Sequence, residues 1–324
     1  MKDLSGSDGA TVVMSAIDLT EEQHQRIAVA GGLTVPYHPG NPPSSSALAD
    51  VEVWLGDGLT GELVQRVPRL AWVQSTSQGV DGMLSESLVR SGALVTNVSG
   101  MHSAVVADHA LALVLALARS LPASVSAQAN RTWAAADPSG IHILQDSEMV
   151  VVGTGRIGSE VARRAAACGM RVVGVNRRGV DVDGFEEVHA SADLADVVTT
   201  ADWVVLVCPL TTSTLGIVNA DVLARMKPTS FLINIARGPV VDSGALRGAL
   251  KRGELAGAAL DVFDEEPLRP DDAFWALPNV LVTPHVGGVM PNYMDKAIGY
   301  FVDNLTRYRS GLPLNSLVDK TIGY

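Results

Sequence analysis

An α/β fold built on two parallel sheets is predicted by three observations. Short β-rich runs alternate with helical ones along most of the chain. One such run leads directly into a glycine-rich loop that opens a helix. A length of 324 residues with 47% hydrophobic content supplies enough apolar material for two buried cores.

In the first hundred residues the strands are read at Thr11 to Met14, Leu33 to Tyr37, Val51 to Leu55, Leu70 to Gln74 and Leu94 to Val98. Thr20-Glu21-Glu22-Gln23 has the spacing of a capping box and opens a helix to about Ala30. Five strands joined by helices make a small parallel sheet, with no phosphate loop of its own. A long helix then runs from Gly100 through Arg119 and is ended by Leu121-Pro122. It is apolar on nearly every face (Ala104, Val105, Val106, Ala110 to Ala118) and is expected to be buried all round, between domains or between subunits. A polar connector carrying Trp133, Asp137, Pro138 and Gly140 follows.

The second set of strands is read at Met149 to Val152, Arg171 to Val175, Trp203 to Val207, Phe231 to Ile235, Ala258 to Val262 and Val280 to Val282. Helical stretches between most of them give the pattern of a doubly wound sheet. After His285 come one more helix, about Asn292 to Tyr308, and a tail too short for a domain. The expected division is 1–99, then 100–286, then 287–324 packing back onto the first sheet.

Composition excludes several classes of function. With 24 Lys and Arg against 35 Asp and Glu, the net charge of −11 argues against a nucleic-acid or anionic-membrane surface. The start, MKDLSGSDGA, lacks the apolar run of a signal peptide, and Ala104 to Ala118 is too short to span a bilayer. Cys168 and Cys208 have apolar surroundings and no metal-ligand spacing, so no metal is expected and both are read as reduced thiols of a cytoplasmic protein.

Chemistry concentrates in four polar segments: Gly153 to Gly158, Asn234 to Gly238, Asp264 to Pro267 and Thr283 to Gly288. In Gly153-Thr154-Gly155-Arg156-Ile157-Gly158, the first glycine permits a tight turn, Gly155 lets a pyrophosphate approach, and Gly158 lets helix and strand pack closely. The helix N-terminus adds free N–H groups for the phosphates. About 20 residues on, an NAD enzyme places an acid on the ribose. Here the chain reads Asn176-Arg177-Arg178, which would not repel a 2′-phosphate and could grip it, so NADP(H) is preferred, with NAD(H) possible. The alternative is an exposed basic turn.

Arg237 lies just past a strand, where the carboxyl ends of a parallel sheet form a ligand crevice. It could bind a carboxylate and polarise a neighbouring carbonyl, or simply make a surface ion pair. His285 alone among seven histidines ends a predicted strand beside a glycine pair, in the mobile-looking Val286-Gly287-Gly288. His109 is readable as a buried residue of its helix. A carboxylate coupled to His285 would favour its protonated ring and fix its orientation. Asp264, Glu265 and Glu266 all compete for that role by spacing alone.

These segments, with Val95 to Asn97, Val106 to Leu113, Cys208-Pro209-Leu210-Thr211 and Asp261-Val262-Phe263, closely resemble the D-isomer-specific 2-hydroxyacid dehydrogenase family. The basic Asn176 to Arg178 segment resembles its glyoxylate/hydroxypyruvate reductase branch. The resemblance implies a Rossmann cofactor domain inserted in a flavodoxin-like substrate domain. It implies that Arg237 binds the substrate carboxylate, His285 is the acid/base and Glu266 its partner. It also implies that Gly79 and its neighbours offer backbone N–H groups to the carboxylate, with Gln78 in the substrate loop, and that Asp261 contacts the nicotinamide amide. Further cofactor contacts are expected at Arg156, Ile157, Cys208, Pro209, Thr214, Ala236, His285, Gly287 and Gly288. A homodimer through helix 101–119 is implied as well. The expected function is reduction of a small 2-keto acid to the D-2-hydroxy acid with NADPH. The rival is a non-enzymatic, nucleotide-sensing binding protein of the same fold.

Overall fold

The computed structural model describes residues 9–40, 43–133 and 140–324. Asp137 and Pro138 of the connector, and the first eight residues, lie outside the described residues. The chain forms two compact units, Met1–Met101 with Met290–Tyr324, and His102–Val289. The second is therefore an insertion in the first.

In the first unit, β1 (Thr11–Ser15), β2 (Gly32–Pro36), β3 (Val53–Leu55), β4 (Trp72–Gln74) and β5 (Leu94–Thr96) form a sheet of order β2-β1-β3-β4-β5, all pairs parallel. That is the flavodoxin-like order. The helices are α1 (Glu21–Val29), α2 (Ser45–Ala49), α3 (Gly61–Arg66) and α4 (Glu86–Arg90). The capping box at α1 is complete: Gln23 N donates to Thr20 Oγ1 (3.3 Å) and Thr20 N to Gln23 Oε1 (3.0 Å).

The second unit starts with α5 (Ser103–Ala118) and α6 (Leu121–Ala129). Leu121-Pro122 thus opens a helix as well as ending one, because proline fits the first turn, where its missing N–H costs nothing. The predicted run is α5 alone, α6 follows it after a 71° bend, and no single described helix is long and apolar enough to cross a membrane. Within the chain α5 is not buried all round. Val106, Ala107, Ala110, Leu113, Val114 and Leu117 are buried, while Leu115 and, on α6, Leu121 and Val125 are exposed.

Next come β6 (Glu148–Val152), α7 (Arg156–Ala167), β7 (Arg171–Asn176), β8 (Glu187–Ala190), α8 (Leu194–Val197), β9 (Trp203–Leu206), α9 (Ala220–Arg225), β10 (Phe231–Asn234), α10 (Ser243–Arg252), β11 (Gly257–Leu260) and β12 (Val280–Val282). The parallel order β12-β11-β10-β9-β6-β7-β8 reverses direction at β6, as in a Rossmann sheet. Alternate residues of the strands enter separate cores. Val150, Val204 and Leu232 face one, and Val151, Val205 and Ile233 the other. Both sides of the sheet are therefore covered, as a parallel sheet requires. Strand β8 was not anticipated: Glu-Val-His-Ala at the sheet edge has no fully buried residue and carries no apolar periodicity.

The chain returns to the first unit as α11 (Tyr293–Arg309), whose Ile298, Phe301 and Leu305 are fully buried beside Val13, Val53 and Leu55. Trp72 stacks on Phe301 with ring centroids 5.2 Å apart. A buried polar chain reinforces the contact. Trp72 Nε1 donates to Thr96 Oγ1, Thr96 Oγ1 and Asn304 Nδ2 both donate to Gln74 Oε1, and Asn315 N donates to Asn304 Oδ1. Replacing Asn304 leaves several buried polar groups without partners, each worth roughly 1–3 kcal/mol. Asn304→Leu is accordingly expected to destabilise the protein by about 3 kcal/mol, measured by urea unfolding.

Candidate active site

In the second sheet Val152 pairs with Leu206, Leu206 with Asn234, Asn234 with Leu260 and Leu260 with Val282. The strands' last residues thus lie in one row, and the segments that follow leave from one edge. Adjacent strands sit ~4.8 Å apart, so side chains from neighbouring loops are within mutual reach. This edge carries the glycine loop after β6, Asn176 to Arg178 after β7, Cys208 after β9, Arg237 after β10, Asp261 and Glu266 after β11, and His285 after β12.

The glycine loop has the shape of a phosphate cradle. Gly153 has φ +109° and abuts the Cys208 backbone, where an added Cβ would come within 2.8 Å of the nitrogen. A Cβ on Gly158 would fall 1.9 Å from Gly153 O, whereas one on Gly155 would meet nothing within 4 Å. Gly155 is also the N-cap of α7, and no side chain caps that helix. Its first N–H groups are left for an anion.

Asn176 closes the turn beyond β7. Its Oδ1 accepts from Arg178 N and Val180 N (both 3.1 Å), and its Nδ2 donates to Val180 O (2.7 Å) and Thr154 Oγ1 (3.1 Å). Arg177 and Arg178 are exposed, with no ion pair among the described residues. Cys208 is buried, and burial pushes its thiol up to about 12, so it is chemically inert. Thr214 Oγ1 donates to Pro209 O (2.6 Å) and accepts from Thr211 N (2.8 Å), which folds the loop after β9.

Arg237 is half-buried and follows a turn tied by the buried Asn234, whose Oδ1 accepts from Ala236 N and whose Nδ2 donates to Arg237 O (both 3.0 Å). Gly238 has no room for a side chain, since a Cβ would lie 2.0 Å from the Phe263 carbonyl carbon. This close approach is made by the chain's own backbone, and it sets the segment around Arg237 against the Phe263-Asp264 backbone.

His285 Nδ1 lies 2.6 Å from Glu266 Oε2, so among the three neighbouring acids Glu266 is the partner. Glu266 Oε1 accepts from Phe263 N (2.9 Å), which orients the carboxylate. With Nδ1–H donated to Glu266, Nε2 is the ring atom left for a substrate. His285 adopts φ +52°, a left-handed conformation that costs a non-glycine residue roughly 1–2 kcal/mol.

Asp261 holds that loop. Its carboxylate is 2% exposed and accepts from Thr283 Oγ1 (2.5 Å), Val286 N (3.0 Å) and Gly287 N (2.9 Å), with His109 Nε2 at 3.3 Å. Its backbone oxygen accepts from His285 N (2.8 Å). Burial alone would raise its pKa; the hydrogen bonds from His109, Thr283, Val286 and Gly287 outweigh burial and hold the carboxyl at about 2. Gly287 and Gly288 are not a loose hinge. Added Cβ atoms would come within 3.0 Å of Asp261 Oδ2 and 3.1 Å of His102 Cδ2, respectively.

In the first unit the loop with Gln78 and Gly79 is tied down separately. Asp57 accepts from Ser75 Oγ and Ser77 Oγ (both 2.6 Å), and Asn97 Nδ2 donates to Gln78 O (2.7 Å). Gln78 Oε1 is buried with no hydrogen-bond partner among the described residues.

Comparison with known proteins agrees with this fold. Residues 111–287 match the family model of the D-isomer specific 2-hydroxyacid dehydrogenase NAD binding domain. The chain belongs to the D-isomer specific 2-hydroxyacid dehydrogenase family. It is 35% identical over 274 residues to a glyoxylate reductase of Pyrococcus furiosus, covering 83% of this chain and 81% of that one. A family member from Xanthobacter autotrophicus Py2, crystallised with NADPH and MES, superposes with a TM-score of 0.85 at 31% identity, covering 98% of this chain and 100% of the other. An NADPH-dependent glyoxylate/hydroxypyruvate reductase from Sinorhizobium meliloti, crystallised with NADP and sulfate, gives 0.84 at 27% identity over 97% and 100% of the two chains. The protein is thus an NAD(P)-dependent dehydrogenase.

Reading the sequence of this dehydrogenase missed His109 and Thr283 as parts of the site. Thr283 sits in the same TPHVGG segment as His285, which was the available signal; His109 lies 174 residues before Thr283, and its only signal was its place in the family-like segment Val106 to Leu113. The glycines generate a paired prediction. Gly158→Ala forces a clash with backbone and should lower the thermal midpoint by roughly 5 °C or more. Gly155→Ala should leave the midpoint within ~2 °C yet weaken dinucleotide binding about tenfold or more, read by fluorescence titration.

Proposed function

We propose that this dehydrogenase reduces a small 2-keto acid to the D-2-hydroxy acid, with NADPH preferred over NADH. The observation that carries the reading is the 2.6 Å contact of His285 with Glu266, on the sheet edge that also bears Arg237 and the glycine loop. In this reading Arg237 grips the substrate carboxylate, and its charge stabilises the oxyanion developing on the neighbouring carbonyl. His285 Nε2 hands its proton to that oxygen and takes it back in the reverse direction. Glu266 fixes the ring and supplies the counter-charge whenever the imidazolium forms. When bound, the reduced nicotinamide supplies the hydride. The uncapped N-terminus of α7 and the open space beside Gly155 suit its pyrophosphate, and the unpaired Arg177 and Arg178 suit a 2′-phosphate.

Asp261, Ala236, Cys208, Pro209, Thr214, Gly287 and Gly288 complete the proposed cofactor set. Gln78 and Gly79 are the proposed further contacts to substrate, through the backbone N–H groups of their loop, whose donors suit a carboxylate. The relatives named as glyoxylate reductases, and the neighbours crystallised with NADPH or NADP, support the substrate class and the cofactor. A homodimer through α5 belongs to the same reading, supported by the exposed Leu115, Leu121 and Val125.

A panel of glyoxylate, hydroxypyruvate, pyruvate and longer 2-keto acids with both reduced cofactors tests it. At least one acid should be turned over, with the higher kcat/KM for NADPH. Binding of NADPH without oxidation on any of them would make the protein a nucleotide sensor instead. His285→Ala should lower kcat by ~10²- to 10⁴-fold on the best acid. Replacing Arg177 and Arg178 together by Ala should raise KM for NADPH about tenfold or more and leave that for NADH within about twofold, measured by initial rates.

A further inference from the structure

The loop that carries His285 is held from two sides, and only one of them is local. Thr283, Val286 and Gly287, which donate to Asp261, belong to the loop itself. His109 belongs to α5, and its Nε2 lies 3.3 Å from Asp261 Oδ1 and 3.2 Å from Thr283 Oγ1. Since Thr283 gives its hydroxyl proton to Asp261, and a carboxylate only accepts, His109 Nε2 carries a hydrogen and donates it to this pair. The contact is also steric. An added Cβ on Gly287 would come 3.3 Å from His109 Cδ2, so the imidazole lies against the backbone next to His285. A left-handed residue such as His285, at φ +52°, keeps that conformation only where its surroundings over-determine it.

From these contacts we infer that His109 is a positioning residue. Through the Asp261 carboxylate and the Thr283 hydroxyl it fastens the loop 283–287 to α5, and so sets the direction in which the His285 ring presents Nε2. It touches neither substrate nor the proton in transit. Its consequence for turnover rests on the function proposed above; its consequence for the loop does not.

The experiment compares three full-length proteins: wild type, His109→Leu and His109→Gln. Leucine fills similar space but cannot donate, while the glutamine amide nitrogen can reach a comparable point and donate. Two readouts are taken, amide hydrogen exchange and steady-state kinetics on the best 2-keto acid. In His109→Leu the amides of Val286 and Gly287 should exchange at least tenfold faster, with those of β11 and β12 within twofold of wild type. The same variant should lose about tenfold or more in kcat while KM for the keto acid stays within threefold. His109→Gln should recover most of both.

A general loss of stability would instead speed exchange throughout the unit and would not be rescued by glutamine, and that result would overturn the inference. Unchanged exchange at Val286 and Gly287 in His109→Leu would overturn it too. If His109→Leu does not fold, His109→Asn, whose amide stops short of the carboxylate, is read by the same rule. A wild type inactive on every keto acid would sink the proposed reaction only, because the exchange measurement still decides the role of His109.

Discussion

A buried carboxylate that stays charged is the constraint on which the rest of the site depends. Asp261 is almost sealed from solvent, which by itself favours the neutral acid, yet its donors hold it ionised down to about 2. Its depressed pKa means that the stabilisation, on the order of 2 kcal/mol, is present above the ordinary carboxylate range. That stabilisation is lost only as pH falls from there through about 2. Near neutrality the group is a fixed anion at the end of β11. Around it the next strand's loop folds inward, three of its donors coming from residues 283–287. The energy gained there offsets the unfavourable backbone of His285, so the histidine stands in a conformation it would rarely adopt alone.

Register does the remaining positioning. Because β10, β11 and β12 pair in order, Arg237, Glu266 and His285 are carried by three neighbouring connections at one edge. Glycines then bring the connections closer than any side chain would allow. Gly238 seats the β10 loop on the backbone of Phe263, and Gly158 seats α7 on the turn at Gly153. Both serve the chain's own packing. Gly155 differs, because the space its missing side chain leaves is not filled by protein. A motif that looks uniform in sequence therefore divides into two physical jobs, internal packing and room for an anion.

Much of this was legible beforehand, and the exceptions have physical causes. The strands that build the two sheets' interiors announce themselves by apolar runs, and the α1 cap by its spacing. Strand β8 was missed because an edge strand with polar residues carries no such signal. Helix α6 has no distinct signal of its own, because Pro122 reads equally as a helix stop and as a first-turn residue. The segment positions of Arg237 and His285 were readable from strand ends. What spacing could not decide was which of Asp264, Glu265 and Glu266 meets the imidazole, since the answer depends on how the loop after β11 folds. Nor could it show that Gly287 and Gly288 are clamped, because the atoms clamping them come from Asp261 and α5.

Charge distribution sharpens the picture of the nucleotide edge. The chain has 35 acidic residues to 24 basic ones, and about half of its arginines sit in ion pairs. Arg164, Arg171, Arg225, Arg252 and Arg269 all sit in ion pairs. Arg156, Arg177 and Arg178 have none among the described residues; Arg156 opens α7 within the glycine loop, and the other two lie in the turn after β7, the strand beside β6. Arg26, Arg66, Arg119, Arg131 and Arg309 also have no ion pair among the described residues, but none of them belongs to the glycine loop or the turn after β7. In a protein of net negative charge, guanidiniums without ion-pair partners in the segments that carry the uncapped N-terminus of α7 and the end of β7 would favour a phosphorylated cofactor there.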